Sequence, residues 1–197
     1  MGHRDSYSSY SDNLIAFTQH YELIQERSTN LVACSNTLSS YVGVDNSTDL
    51  VETMSTLDSC AFNINWGYLC NKMRYFGYEM GTPCIILKIN LIFGWQPSLY
   101  SSVGGVEVCC HGRTEFDQQL MGEVCYYDGA VSTDLGCSRK CGVFPHFYFP
   151  YLRQETYLSP LVFMEFRNLS RYVAVQITCH LKAVNANSKV NFVILME

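Results

Sequence analysis

The stretch Pro83 to Pro97, PCIILKINLIFGWQP, decides how this chain is read. Leu87, Ile89, Leu91 and Phe93 fall on one face, while Lys88 and Asn90 interrupt the other. That period of two predicts a strand packed on a core on at least one side. The two prolines bracket it, since proline cannot donate to the interior of a ladder. Cys84 stands at its mouth and Cys70 lies just upstream. A strand stapled near its start points to a small extracellular β domain and away from a cytosolic enzyme.

Working outward, the totals fit that reading. The chain has 197 residues, enough for one domain with a sizeable core. Its net charge of -5 and lack of any basic run exclude a phosphate-tracking nucleic-acid binder. Only 16% of residues are charged, against 14 Tyr and 11 Phe, so a folded domain is expected over disorder. Ten cysteines without C-x-x-C spacing read as a disulfide framework. Two sequons, at Asn46 and Asn168, agree with a secretory route. The longest apolar run, Ile85 to Trp95, is broken by Lys88 and Asn90 and is too short to span a bilayer. These residues are therefore expected to be the outer part of something longer.

Along the chain, residues 1 to 10 are polar and read as extended. Ser11 or Asp12 can cap a helix from Asp12 to Glu26, whose Leu14, Phe17, Tyr21 and Ile24 share a face. Residues 27 to 57 read as loop anchored by Cys34. From Leu57 to Pro97 the chain reads as β-like, with Ala61 to Trp66 alternating. Further strands are expected at Val106 to Cys110, Pro160 to Phe166, Tyr172 to His180 and Val190 to Met196. Residues 128 to 146 read as a loop. On the strand Val106 to Cys110, alternation sends Cys110 inward and Cys109 outward. Val173, Val175, Ile177 and Cys179 also share an apolar face. An inward cysteine on each of two strands predicts a Cys110–Cys179 bond between the sheets of a sandwich. It would close a loop of about 70 residues, worth roughly 4 kcal/mol.

Catalytic signatures are missing: the sequence holds no G-x-S-x-G, H-E-x-x-H, P-loop or G-x-G-x-x-G. No catalytic residue and no cofactor is expected. Cys109-Cys110-His111 and Cys179-His180 could meet as a zinc site. An oxidising compartment would consume the thiols, and no C-x-x-C unit supports it, so no metal is expected. The aromatic run Phe144 to Tyr151 reads either as a turn covering one end of the sandwich or as an exposed patch for a partner.

Four blocks resemble the extracellular domain of the Na⁺/K⁺-ATPase β subunits, nearest the insect type. Gly77-Tyr78 with Pro83 to Pro97 resembles the family's GYxxGxPCIxxKxNxIxGxxP segment. Cys110-His111-Gly112 resembles its C-x-G element. Phe149-Pro150-Tyr151 and Tyr157-Leu158-Ser159-Pro160-Leu161-Val162 resemble its aromatic–proline and Y-L-x-P-L blocks. Cys179 and the strand Val190 to Glu197 resemble its C-terminal half.

The resemblance implies a mostly β fold, an immunoglobulin-like antiparallel sandwich with an N-terminal helix and disulfide-stapled loops. It assigns residues 1–10 to a juxtamembrane segment and 11–197 to the domain. It implies bridges Cys34–Cys60, Cys70–Cys84 and Cys110–Cys179, and glycosylation at Asn168. It implies a P-type ATPase catalytic α subunit as partner, met through Tyr148, Pro150, Tyr151 and Tyr157. The implied role is a non-catalytic subunit that supports α-subunit folding and delivery and modulates cation affinity. The implied place is the outer side of the plasma membrane, on a single-pass type II parent whose transmembrane helix is absent from this chain. A pump-independent adhesion or junction protein, meeting another cell-surface protein through the same sandwich, is the rival. Cys109, Cys125, Cys137 and Cys141 exceed the family's set and allow three pairings. Cys109–Cys125 with Cys137–Cys141 is the expected one.

Overall fold

A computed structural model describes residues 4–34, 58–98, 104–129 and 137–197. Asn46, most of the expected loop 27–57 and part of the loop 128–146 lie outside the described residues. Two antiparallel sheets carry the fold. One has three strands in the order β3 (Cys84–Lys88), β7 (Leu161–Arg167), β5 (Glu123–Tyr127). The other has four, ordered β6 (Gly142–Pro145), β4 (Gly105–Gly112), β8 (Ala174–Lys182), β9 (Lys189–Leu195). Val106, Val108, Val175 and Ile177 of the larger sheet share one core with Val162, Met164 and Phe166 of the smaller. The sheets therefore face one another as a sandwich.

A second core lies on the other side of the three-stranded sheet. There Leu161, Phe163 and Tyr127 meet Tyr21, Phe62 and Phe76. The helix α1 (Arg4–Arg27) closes this layer through Leu14, Ile15, Phe17, Tyr21 and Ile24. The Tyr21 hydroxyl donates to the Ser159 carbonyl at 3.0 Å, fixing the helix to the start of β7. Strand β7 is thus covered on both faces, which is why LVFMEFR reads as a nearly continuous apolar run. Its Glu165, 2% exposed, accepts from the Tyr127 hydroxyl and from Arg167, so the buried carboxylate is satisfied.

Several expectations are corrected. The helix begins at Arg4, not near Asp12, and residues 4–10 are not extended. Tyr7 and Tyr10 both stack on Tyr78 with centroids 6.2 Å apart, a tertiary hold that local periodicity does not show. Ser11 lies inside the helix and donates back to the Ser8 carbonyl instead of capping. Ala61 to Trp66 is not a strand: Asn63 caps a 3-10 turn over Ile64–Gly67. A two-residue β1 (Leu31–Val32) pairs in parallel with β2 (Ser59–Cys60) just before it. The strand from Pro83 stops at Lys88, and Leu91, Ile92 and Phe93 are exposed.

Besides β1, three elements fall where the sequence reading names no strand or helix: β5, β6 and a short helix α2 (Glu115–Leu120). Strand β6 fits its place because Gly142 lies against Val162 and Tyr126, where any Cβ would collide. Helix α2 opens on a capping box. Thr114 accepts from the Asp117 N–H at 3.1 Å, and Asp117 accepts from the Thr114 N–H. Asp117 also accepts from the Gln176 N–H of β8. The Thr114 hydroxyl, then the Gln176 N–H, hold its carboxyl below the ordinary range, against the opposing effect of burial. A depressed carboxyl adds stability above its unfolded value of about 3.9, lost as pH falls through the folded value. Unfolding midpoints measured from about pH 5 downward will therefore drop, and Asp117→Asn will flatten that part of the drop.

Five disulfides staple this frame. Cys34 joins Cys60, and Cys70 joins Cys84. Cys110 joins Cys179, but not across the sandwich: the two are register partners on adjacent strands β4 and β8 of one sheet. Both side chains face inward, as alternation requires. The expected Cys109–Cys125 and Cys137–Cys141 pairs are corrected to Cys109–Cys141 and Cys125–Cys137. The reason is register. Val108 pairs with Gly142, which sets Cys109 of β4 beside Cys141 on the outer face. Cys125 belongs to the other sheet and points into the second core, out of reach of Cys109.

Candidate partner-contact surface

Strand β6 delivers the chain into a 3-10 turn, His146–Tyr148, followed by a cis Phe149–Pro150 bond. The aromatic run then divides by depth. Tyr148 is 3% exposed, packs beside Phe62, and donates to the Ala61 carbonyl at 2.8 Å. Burial, with Tyr157 and Tyr21 nearby, raises its pKa, so the phenol stays neutral. Tyr148 is thus corrected from contact candidate to core anchor. Its hydroxyl needed a buried partner and found a backbone carbonyl.

The other three expected contact residues lie nearer the surface. Pro150, Tyr151 and Tyr157 are half-buried. Tyr151 and Tyr157 rings sit 4.9 Å apart. Burial pushes the Tyr157 pKa up to about 12, so its phenol stays neutral at neutral pH. The Ser159 hydroxyl opposes that rise.

Tyr151 also bridges to Phe93, and its carbonyl accepts from the Gly94 N–H at 2.9 Å. Trp95 meets Phe149 edge-on at 5.4 Å. These contacts lay the segment 91–95 alongside 149–151. Gly94, at φ +68, permits the turn and has open space around it. The outcome is an exposed apolar ridge of Leu91 (50%), Ile92 (52%), Phe93 (62%) and Leu152 (43%). Arg153 stands 5.2 Å over the Phe93 ring and gives the ridge a charged margin.

Sequence reasoning assigned Leu91 and Phe93 to a core face and missed the ridge. The available signal was Ile92-Phe93-Gly94, where apolar residues sit on both parities beside a glycine and strand alternation ends. An aromatic and aliphatic centre with a polar margin is suited to burying against another protein. Among the described residues, the one group of three or more His, Cys, Asp or Glu whose ligand atoms lie close enough for one ion is Glu123, Cys125 and Cys137, and its cysteines are bonded to each other. No described helix is long and apolar enough to cross a membrane.

Elsewhere, Asn168 is exposed in the left-handed region (φ 57) directly after β7. Its turn is held by the Ser170 N–H donating to the Leu120 carbonyl.

Comparison with known proteins adds sequence-wide matches. A family model described as "Sodium / potassium ATPase beta chain" matches residues 1–192. "Sodium/potassium-transporting ATPase subunit beta-1" of Drosophila melanogaster is 27% identical, over 68% of this chain and 46% of the relative. "Protein ATP1B4" of Sus scrofa is 36% identical, over 63% of this chain and 32% of the relative. "Sodium/potassium-transporting ATPase subunit beta-1" of Tetronarce californica is 26% identical, over 89% of this chain and 60% of the relative. The chain thus spans about half the length of the curated relatives it matches.

Proposed function

Because this chain belongs to the sodium/potassium ATPase beta chain family, we propose that it is the extracellular part of a non-catalytic pump subunit. Its partner is the catalytic α subunit of a P-type ATPase at the plasma membrane. The α subunit hydrolyses ATP and moves ions. This chain covers its outer face, supports its folding and delivery, and tunes cation affinity. The tuning is differential binding: contacts stronger in one pump conformation shift the equilibrium toward it.

The observation that carries this reading is the ridge Leu91 to Phe93 braced on Tyr151. It is built by backbone and ring contacts, so it is presented in a fixed shape and little ordering cost falls on binding. Pro150, Tyr151, Tyr157 and Phe93 are the contact residues. The test is affinity purification of the membrane-anchored parent in mild detergent from its native cells. An α subunit will be recovered near one-to-one. Phe93→Ala with Tyr151→Ala will cut that recovery about tenfold, an effect of about 1.4 kcal/mol. Recovery of junctional proteins with no α subunit would overturn the pump reading in favour of adhesion.

Asn168 carries an N-linked sugar in this proposal, since its turn is exposed and its sequon intact. Glycosidase treatment of the protein from its native cells will lower its apparent mass, and Asn168→Gln will remove that share of the shift.

A further inference from the structure

His111 and His180 lie on the outer face of the four-stranded sheet. In the register, Cys109 is opposite His180 and His111 is opposite Thr178. The two histidines are therefore diagonal neighbours on adjacent strands. Their rings stack with centroids 5.2 Å apart and planes 13° from parallel. Nδ1 of His111 lies 2.8 Å from the Gly112 carbonyl oxygen. A carbonyl only accepts, so Nδ1 carries the proton and Nε2 keeps its lone pair. A backbone carbonyl orienting a histidine in this way is the usual outer support of a metal-binding imidazole. Cys109, Cys110 and Cys179 beside them are all bonded, so sulfur offers no ligand here.

We propose that His111 and His180 form a two-imidazole site for a late first-row divalent cation, with zinc as its representative. The ion clamps β4 to β8 from outside, on the sheet face opposite the Cys110–Cys179 bond. Zinc–nitrogen bonds of about 2.0–2.1 Å place two tetrahedral ligand nitrogens about 3.3 Å apart. Parallel stacking does not yet aim both lone pairs at one point; His111 is exposed and His180 half-buried, so both rings have room to turn about χ1 and χ2 and converge on an ion. Water completes the shell. Imidazole nitrogen selects zinc, copper or nickel over magnesium or calcium, which take oxygen. Glu107 stands opposite Lys182 and balances it, but Lys189 is the direct partner of His180, so local charge opposes a cation and the two imidazoles must supply the affinity.

The experiment is calorimetric titration of ZnCl2 into residues 1–197 with all five disulfides formed. One equivalent will bind, MgCl2 will not compete, and zinc will raise the thermal midpoint. His111→Gln and His180→Gln will each weaken binding at least about tenfold and abolish that rise, while His146→Gln will change neither. Both substitutions are on the sheet's outer face, and melting without zinc checks that each variant is folded. Unchanged affinity in either folded variant, or no saturable binding below about 0.1 mM, would overturn the proposal.

Discussion

Replacing Cys110 and Cys179 together by alanine will lower the unfolding free energy by about 4 kcal/mol. The bond closes the longest covalent loop in the chain, with a sequence separation of 69. Loop-closure entropy in the unfolded ensemble rises with that length. The loop encloses α2, β5, β6 and β7, so most of both sheets is restrained in the unfolded chain by this one link. Packing adds to the loss. Cys179 is 1% exposed, and the Cys110 sulfur sits 3.3 Å from that of Met164 on the facing sheet. Two alanines leave a gap there that the sandwich closes only in part. Denaturant midpoints of the double variant, with the other four bonds intact, measure the effect. A loss below about 1 kcal/mol would mean that the ladder between β4 and β8 already supplies the restraint.

The second large effect is at Arg139. Asp128 is 1% exposed, and its carboxylate accepts from the Val143 N–H at 2.6 Å and from Arg139 at 3.0 Å. The same guanidinium donates to the Tyr126 carbonyl at 2.9 Å. One ion pair thus ties the end of β5 to the start of β6, and so one sheet to the other. Arg139→Met removes the cation and leaves a buried carboxylate with less compensation, at a cost of about 3 kcal/mol. Asp128→Asn combined with Arg139→Met removes the charge as well and will recover part of that loss. Equal losses in the single and double variants would show that packing of the arginine stem, not its charge, holds the corner.

How much of this was legible follows the length of each pattern. Strands β4, β8 and β9 alternate over several residues and were read from sequence with only their ends displaced. Strand β7 was read from an apolar run. Strand β6 was not, because four residues containing glycine and proline give no period and resemble a turn. Helix α2 spans less than two turns, too short for a face, although Thr114-x-x-Asp117 marks its start. The contact surface was half legible. Tyr151 and Tyr157 stood out as aromatics near proline, but composition cannot say that Tyr148 finds a carbonyl in the core. Nor can it say that Leu91 to Phe93 leave the sheet, since that depends on pairing with Tyr151. The extra cysteines were mispaired for the same reason: the choice requires strand order, and β6 was unknown.

Cys109 and Cys110 stand side by side on β4 and bond to opposite sides through opposite faces, one to Cys141 just before β6 and the other to Cys179 of β8. A one-residue slip of β4 would bring one of them against the wrong partner and carry the other out of reach. The slipped molecule would hold a wrong bond and unpaired sulfurs, where the correct one holds none. An alignment error, ordinarily invisible to chemistry, is thereby written as a free thiol that alkylation can count. The adjacent cysteines make this domain's assembly self-reporting.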